Sequence, residues 1–219
     1  QDRNDQSSMP QLMAADGYEY KSAEDLGYPY GYTRGDATLE GAVYGVYLNG
    51  ELVKTYTTDK DGYILTDYFP CGDGWTIREI TPSEGYLLDD MIYPVGAYPE
   101  KYSVEYNTLT MDVYETPIKS NIVLVKHSDN GDTQIETPEV GAEFEVYLKS
   151  SGSYDNAAET ERDYLTCDEN GFAQTKDMPY GVYTVHQTAS WEGTELIADF
   201  DVYVSENGKT YAFLMNNRE

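Results

Sequence analysis

Short runs in which apolar and polar residues alternate recur along the chain and predict β-strands. The clearest runs are residues 42–47 and 142–147, where a period of two places every second side chain on the same face. Ala42, Tyr44 and Val46 are predicted to share one face, and Ala142, Phe144 and Val146 share one face in the second run. Turns rich in Gly, Asp and Pro separate the runs, which is typical of half-buried strands in a two-sheet sandwich.

The chain contains two copies of this pattern. Residues 39–50 match residues 139–150 at an offset of 100, and residues 57–79 match residues 166–187 at an offset of 109 that falls to 108 after Gly72. Self-similarity over this distance indicates a duplicated unit. We therefore predict an all-β protein with two tandem β-sandwiches, immunoglobulin-like or prealbumin-like in architecture.

The duplication sets the predicted domain boundaries. We assign residues 29–117 to the first sandwich and residues 118–219 to the second. Residues 1–28 are polar and without period, so we predict a partly disordered lead-in. This lead-in does not read as a signal peptide, so a secreted parent protein would contain the chain as an excised piece.

Composition narrows the functional classes. Forty acidic residues stand against 14 basic residues, for a formal net charge of -26. Nucleic acid and anionic membrane surfaces repel such a chain, so we predict no nucleic-acid partner. The sequence has no run of about 18 apolar residues, and we predict no membrane insertion. The 23 tyrosines favour β-structure, since their rings pack while their hydroxyls stay in water.

Motifs that carry chemistry are scarce. Cys71 and Cys167 lie in different predicted sandwiches, so we expect no disulfide, and the cysteine count argues against a four-ligand zinc site. The sequence contains no nucleophile elbow, Walker loop or zinc-protease helix motif. We therefore predict no enzyme activity, no metal site and no cofactor.

The order of several blocks resembles a known family. In the second copy the blocks are residues 121–132, 141–147, 180–190 and 211–219. They resemble the Cna B-type domains of Gram-positive surface proteins and pilins, also called SpaA-type or prealbumin-like. The first copy resembles these domains through residues 39–47 and 75–90. The resemblance covers nearly the whole chain from about residue 30 and implies a mechanical function.

The resemblance also implies a candidate cross-link. Many members of this family join a first-strand lysine to a last-strand asparagine through an isopeptide bond, assisted by a buried glutamate. The chemistry requires a deprotonated amine, an adjacent carboxamide and an acid that polarises its carbonyl. In the second copy the resemblance places Lys126 and Asn216 at the reacting positions and Gln187 at the acid position. Because glutamine cannot carry a proton, we expect a slow or absent bond.

The first copy departs from the family in a complementary way. Glu79 retains the acid that Gln187 lacks, but Arg34 stands at the first-strand position and Glu115 at the last-strand position. A guanidinium cannot form this amide. We therefore predict an ion pair between Arg34 and Glu115 close to Glu79.

Three local motifs admit both a functional and a structural interpretation. The Arg-Gly-Asp tripeptide at 34–36 binds integrins when a loop displays it, but its place just before a strand favours a turn. Residues 59–62, 128–132 and 168–171 resemble pieces of calcium loops, yet β-turns use the same residues. The tyrosine-rich residues 17–35 either present rings to a protein or carbohydrate or, as we favour, drape over the first sandwich.

These observations predict a stalk or spacer module of a Gram-positive adhesin or pilus-like protein. Such a module is extracellular and attached to the cell wall within a larger secreted protein, and its partners are the neighbouring domains. The alternative is an adhesin module that binds a host or matrix protein, or a glycan, through a sheet edge or a tyrosine-rich surface. A spacer predicts no large apolar patch, whereas a binder predicts a tyrosine-lined concavity.

Overall fold

The chain folds into two compact units. The computed structural model describes residues 34–70, 72–95, 111–129 and 136–217. Within these residues, unit 1 contains Ala37–Thr116, and unit 2 contains residues 34–36 together with the chain from Pro117 onward. Among the described residues, the structured elements are strands and two short 3₁₀ helices, Lys149–Ser151 and Glu159–Glu161.

The strands are numbered in chain order. In the first part of the chain they are β1 (Val43–Leu48), β2 (Glu51–Thr57), β3 (Trp75–Thr81), β4 (Tyr86–Leu87), β5 (Tyr93–Pro94) and β6 (Thr116–Pro117). In the second part they are β7 (Lys119–Asp129), β8 (Glu136–Pro138), β9 (Glu143–Leu148), β10 (Arg162–Thr166), β11 (Phe172–Gln174), β12 (Met178–Pro179), β13 (Gly181–Ala189), β14 (Phe200–Val204) and β15 (Thr210–Asn217).

Unit 2 is a sandwich of two sheets. One sheet is antiparallel and has the order β10-β9-β13-β14. The other is built around β7, which pairs antiparallel with β8, β11 and β12 and parallel with β15. Because β7 is 11 residues long, it can serve all four partners along its length.

The core of unit 2 lies between these sheets. Alternate residues of β7, β9 and β13 point inward, as a period of two requires. The fully buried side chains in these three strands include Ile122, Leu124, Phe144, Val146, Tyr183 and Val185. Tyr183 satisfies its hydroxyl by donating to the carbonyl of Pro179 at 2.7 Å, so the buried ring leaves no unmet polar group.

Unit 1 repeats part of this architecture. Its main sheet is antiparallel, with the order β2-β1-β3-β5, and β4 pairs with β6 in a separate two-stranded sheet. On the inner face, Tyr44 and Val46 are 7% and 3% exposed. On the outer face, Tyr47 is covered by the guanidinium of Arg78, whose central carbon lies 4.3 Å from the ring centroid.

The predicted all-β sandwich fold is confirmed, and the two copies share a strand register. Leu48 of β1 pairs with Trp75 of β3, and Leu148 of β9 pairs with Tyr183 of β13, as the repeat predicts. The boundary by contacts falls between residues 116 and 117, against a predicted boundary between 117 and 118. Residues 34–36 lie with unit 2, although we had assigned them to the first sandwich.

No helix within the described residues is long and apolar enough to cross a membrane.

We predict that the core of unit 2 is sensitive to truncation. Phe144 is 0% exposed, so Phe144→Ala should destabilise unit 2 by about 3–5 kcal/mol through lost burial and a residual cavity. Leu214 is 64% exposed, so Leu214→Ala should change stability by less than about 0.5 kcal/mol. Urea denaturation, followed by circular dichroism, measures both changes. Equal effects of the two substitutions would contradict the assigned core.

Candidate functional site

Lys126 lies at the centre of a buried polar network in unit 2. It follows Ile122 and Leu124 on the inner face of β7, so the strand period carries its side chain into the interior. Lys126 is 0% exposed. Its Nζ donates to Glu139 Oε2 at 2.6 Å, to Ser128 Oγ at 2.9 Å and to the His127 carbonyl at 2.9 Å. These three bonds use all three protons of an ammonium group.

Glu139 is the anion of this network and is also 0% exposed. Besides Lys126, it accepts hydrogen bonds from the hydroxyls of Ser128 and Ser190 and from the backbone N–H of Trp191, at 2.9 Å for the last. Burial by itself raises the pKa of Glu139, but the hydrogen bonds from Lys126 and the two serines outweigh it and hold the pKa below its ordinary value. The buried charge is therefore paired and fully hydrogen-bonded.

The backbone around Gly171 fixes the spacing of this pair. The Lys126 N–H donates to the Gly171 carbonyl at 2.8 Å, and the Glu139 N–H donates to the Lys126 carbonyl at 2.9 Å. Gly171 has a φ of 70°, and a Cβ at this position would lie 2.3 Å from the Lys126 carbonyl oxygen. Only glycine permits so close an approach of the two chain segments.

Two of the three residues that the resemblance grouped, Lys126 and Gln187, make hydrogen bonds to other residues. Gln187 is buried, but it donates to the Ala189 carbonyl at 3.0 Å and accepts from the Ile197 N–H at 2.9 Å. Asn216 is exposed, whereas Lys126 is fully buried. The charged partner of Lys126 among the described residues is Glu139, and the cross-link to Asn216 stays a prediction.

Sequence reasoning missed Glu139, although the repeat contained the signal. At the offset of 100, Glu139 corresponds to Leu39, and at the offset of 108, Gln187 corresponds to Glu79. Each copy therefore keeps one acid and places it on a different segment. A charged residue at a position that is apolar in the other copy was the available clue.

Unit 1 contains a buried acidic pair. Glu79 and Glu115 are each 4% exposed, and Glu115 accepts a hydrogen bond from the Tyr44 hydroxyl. Glu79 Oε2 accepts from the Asp89 N–H at 2.7 Å. When both side chains are ionised, Glu79 Oε1 and Glu115 Oε2 have no hydrogen-bond donor among the residues that the structure describes. The two groups can satisfy one another only while one of them holds a proton.

The pKa values follow from this arrangement. Burial, reinforced by the charge of Glu115, raises the pKa of Glu79 to about 7 against the lowering effect of the Asp89 N–H. Burial also raises the pKa of Glu115, although the Tyr44 hydroxyl opposes it. The pKa of Tyr44 is raised by burial and by its bond to Glu115. The structure assigns Arg34 to unit 2 and Glu115 to unit 1, and the ion pair between them stays a prediction.

A cavity of about 470 Å³ opens beside the acidic pair. Tyr44 and Glu115 form part of its wall, and most of the remaining wall is apolar or aromatic. The aromatic lining residues include Tyr56, Tyr63, Tyr68, Phe69 and Trp75. This volume lies in the range of small-ligand pockets.

The Arg-Gly-Asp tripeptide forms a turn that is hydrogen-bonded to other residues of unit 2. The Gly35 N–H donates to Glu161 at 3.0 Å, and the Asp36 N–H donates to the Tyr180 carbonyl at 2.8 Å. The Asp36 carboxylate accepts from the Ser150 hydroxyl at 2.6 Å and from the Val182 N–H at 3.2 Å. The aspartate that a receptor would need is therefore already engaged, which agrees with the predicted turn.

In two of the acidic turns, an aspartate side chain accepts hydrogen bonds from the backbone of the turn. Asp59 Oδ1 accepts from the N–H groups of residues 61 and 63, and Asp168 Oδ1 accepts in the same way from residues 170 and 172. These are the turn-forming bonds that aspartate makes with its own backbone. Across the described ranges, no group of three or more His, Cys, Asp or Glu side chains could hold a metal ion. Cys167 is buried with a free thiol, and Cys71 lies outside the described residues.

Comparison with known proteins establishes the family. The sequence profile of the SpaA prealbumin-like fold domain matches residues 33–110 and 120–219, so the chain belongs to this family. The predicted resemblance is therefore confirmed. No curated protein matches the chain.

Solved structures share the fold. The Bacillus anthracis TIE protein matches with a TM-score of 0.60 at 22% identity, over 82% of this chain and 31% of that chain. A C-terminal fragment of the pilus adhesin SpaC from Lactobacillus rhamnosus GG matches with a TM-score of 0.46 at 14% identity, over 84% and 90%. GBS52, the minor pilin of Streptococcus agalactiae, matches with a TM-score of 0.37 at 18% identity, over 83% and 84%. The chain thus spans about a third of the TIE protein.

We predict that Glu139 is essential to the stability of unit 2. Glu139→Gln leaves the buried Lys126 without its anion and should destabilise the unit by about 3–5 kcal/mol. Urea denaturation followed by Trp191 fluorescence in a Trp75→Phe background measures the change. Glu169→Gln, at an exposed position, is the matched control and should cost less than about 0.5 kcal/mol. Equal stability of the two variants would show that the network contributes nothing.

Proposed function

We propose that the chain is a structural spacer in a Gram-positive surface protein, where it transmits tension between neighbouring domains. The observation that carries this proposal is the pairing of β7 with β15. The two strands run parallel through eight residue pairs, from Asn121 opposite Thr210 to Ser128 opposite Asn217. They are the first and last strands of the unit 2 sandwich.

Parallel terminal strands resist tension in shear. Force enters unit 2 at the start of β7, near Lys119, and leaves at the end of β15, near Asn217. These two points lie at opposite ends of the paired ladder. The evenly spaced hydrogen bonds of a parallel pair must then share the load at the same time, instead of opening one after another.

Other features support a passive, extracellular function. The solved structures with this fold include proteins described as pilins and a pilus adhesin. The net charge of -26 suits a soluble surface that does not aggregate. Lys126 and Glu139 are sealed from solvent, so their network cannot receive a substrate. We therefore propose that the chain is not an enzyme and that its partners are adjacent domains.

We predict that unit 2 is strong only when it is pulled end to end. In single-molecule force spectroscopy through the chain termini, the β7–β15 pair is loaded in shear and should rupture at high force. Handles attached at Lys119→Cys and Asn207→Cys pull at the same end of the pair, because the Gly208 N–H donates to the Lys119 carbonyl at 2.8 Å. That geometry should open the pair bond by bond at a several-fold lower force.

The same chain in both geometries controls for overall stability. The substitution Cys71→Ser prevents a handle from attaching at position 71. Cys167 is buried in the core and is left unchanged. Equal rupture forces in the two geometries would contradict the mechanical function.

We further propose that unit 2 completes the cross-link that the family implies, with Glu139 in place of the acid missing at Gln187. The Lys126 nitrogen attacks a side-chain carboxamide carbon, the carbon–nitrogen bond of that carboxamide breaks, and ammonia leaves. Glu139, 2.6 Å from the Lys126 Nζ, takes the proton from the amine and returns it to the leaving group. Closing about 90 residues in this way would stabilise the unit by roughly 4–5 kcal/mol.

Strand register favours Asn217 over Asn216 as the carboxamide. Asn216 is exposed and pairs with His127. Asn217 pairs with Ser128, whose hydroxyl accepts a hydrogen bond from Lys126. The two asparagines are successive positions of β15 with different partners in β7, so the register distinguishes them.

Intact mass tests the cross-link. Loss of ammonia should leave the wild-type chain about 17 Da lighter than its sequence mass. Asn217→Ala should abolish this loss, whereas Asn216→Ala should retain it. An unmodified wild-type mass would exclude the bond and leave the ion pair of Lys126 and Glu139 as the whole of the site.

One observation favours a second function. The cavity in unit 1 is the tyrosine-lined concavity that a binding module predicts. In this alternative, the chain is an adhesin module that binds a host or matrix protein or a glycan. Binding of the intact chain to arrays of matrix proteins and glycans tests it, and an absence of binding would leave the spacer function alone.

A further inference from the structure

Two buried acids in unit 1 face one another. Glu79 and Glu115 are each 4% exposed, and each carboxyl lies within hydrogen-bonding reach of the other. Water does not screen the repulsion between two buried carboxylates. The folded state therefore favours the form in which one acid keeps its proton and donates a hydrogen bond to the other.

The place of this proton follows from the bonds that the pair already makes. Glu79 Oε2 accepts from the Asp89 N–H at 2.7 Å, and Glu115 Oε1 accepts from the Tyr44 hydroxyl. The remaining oxygens, Glu79 Oε1 and Glu115 Oε2, are the two that have no donor among the described residues. A proton between these two oxygens satisfies both, and its loss leaves both unsatisfied and negatively charged.

The pair connects the end of unit 1 to its main sheet. Glu79 lies on β3, opposite Tyr44 of β1. Glu115 immediately precedes β6, which pairs with β4 in a sheet separate from the main one. The strands β4 and β6 are each two residues long, so their ladder contains few backbone bonds. The side-chain bonds of Glu115 therefore add a link from this end of unit 1 to β1 and β3.

We propose that the proton shared by Glu79 and Glu115 is a pH-sensitive latch. While the proton is present, the latch holds residues 111–117, the exit segment, against the main sheet of unit 1. When the proton is lost, repulsion between the two carboxylates releases the exit segment. This latch is independent of the spacer function and of the cross-link in unit 2.

The release falls close to neutral pH. Burial, reinforced by the charge of Glu115, raises the pKa of Glu79 to about 7, and burial also raises the pKa of Glu115. Tyr44 from β1 and Asp89 from the segment after β4 face the pair. Burial raises the pKa of Tyr44, so its hydroxyl stays protonated and donates throughout this range. The charge of Asp89 opposes the ionisation of both acids.

The second copy has no titratable group at the matching position. At the offset of 108, Glu79 corresponds to Gln187, which is buried. The Gln187 amide donates to the Ala189 carbonyl at 3.0 Å and accepts from the Ile197 N–H at 2.9 Å. An amide offers both a donor and an acceptor at every pH. The fold thus accommodates glutamine at this position, and the same substitution in unit 1 removes the titration.

Stability against pH tests the latch. A raised carboxyl pKa stabilises the folded state fully below the ordinary value of 4.5, and this stabilisation is lost as pH rises through about 7. Between pH 5 and pH 8, the unfolding equilibrium constant of unit 1 should therefore increase about ten- to hundredfold. Urea denaturation followed by Trp75 fluorescence in a Trp191→Phe background reports unit 1. Both histidines lie in unit 2, so their titration does not enter this signal.

Matched variants separate the latch from the overall charge. In Glu79→Gln the amide can donate to Glu115 Oε2, so the unfolding constant should change less than about threefold over the same pH range. Glu115→Gln, whose amide can donate to Glu79 Oε1, should behave in the same way. Glu51→Gln removes an exposed acid of unit 1 and should keep the wild-type profile. A wild-type profile as flat as that of Glu79→Gln would overturn the proposal, as would a flat profile of Glu51→Gln.

Hydrogen exchange locates the release. After correction for the intrinsic pH dependence of exchange, the protection of the exit segment should fall about tenfold between pH 6 and pH 8. At pH 8 this protection should be lower than that of β1, and in Glu79→Gln it should not depend on pH. Exit-segment protection equal to that of β1 would mean that the segment opens only when all of unit 1 unfolds. That result, or protection that is independent of pH in the wild type, would overturn the latch.

Discussion

The requirement that a buried charge be paired governs the organisation of unit 2. Removing an ion from water costs several kcal/mol, so a buried ammonium and a buried carboxylate persist only with close contact and complete hydrogen bonding. Lys126 and Glu139 meet both conditions through Ser128, Ser190 and the backbone of Trp191. These partners come from β7, from the segment before β9 and from the residues just after β13. The network therefore links the two sheets of the sandwich through hydrogen bonds to Glu139.

The two copies carry a buried acid on different segments of the chain. The first copy combines Leu39 with Glu79, and the second combines Glu139 with Gln187. At these two aligned positions each copy buries one acid, Glu79 or Glu139, but the segment that carries it has changed. A buried acid can move between neighbouring segments because the interaction depends on the position of its carboxylate in space. Its place along the chain matters only as far as it determines that position.

The proposed mechanical function and the buried network of Lys126 both involve the β7–β15 pair. Met215 of β15 lies opposite Lys126 of β7, and the pair of Ser128 and Asn217 follows two residues later. The network therefore lies close to the end of the ladder where, under the proposed spacer function, tension would leave the unit. Bonds at that end are loaded together with the rest in shear. An ion pair or an amide at this place would oppose the sliding of one strand past the other.

The sequence by itself determined the strands, the duplication and the sandwich fold, because alternation, turn residues and repeat spacing are local properties of the chain. The family resemblance also pointed to Lys126 and Glu79, and the structure shows that both are buried. Only the tertiary structure decided their partners. Glu139 reaches Lys126 through backbone contacts near Gly171, and Asn216 falls on the exposed face because a shift of one residue reverses a strand's two faces. The Arg-Gly-Asp turn likewise lies with unit 2, since its bonds are made to residues more than a hundred positions away.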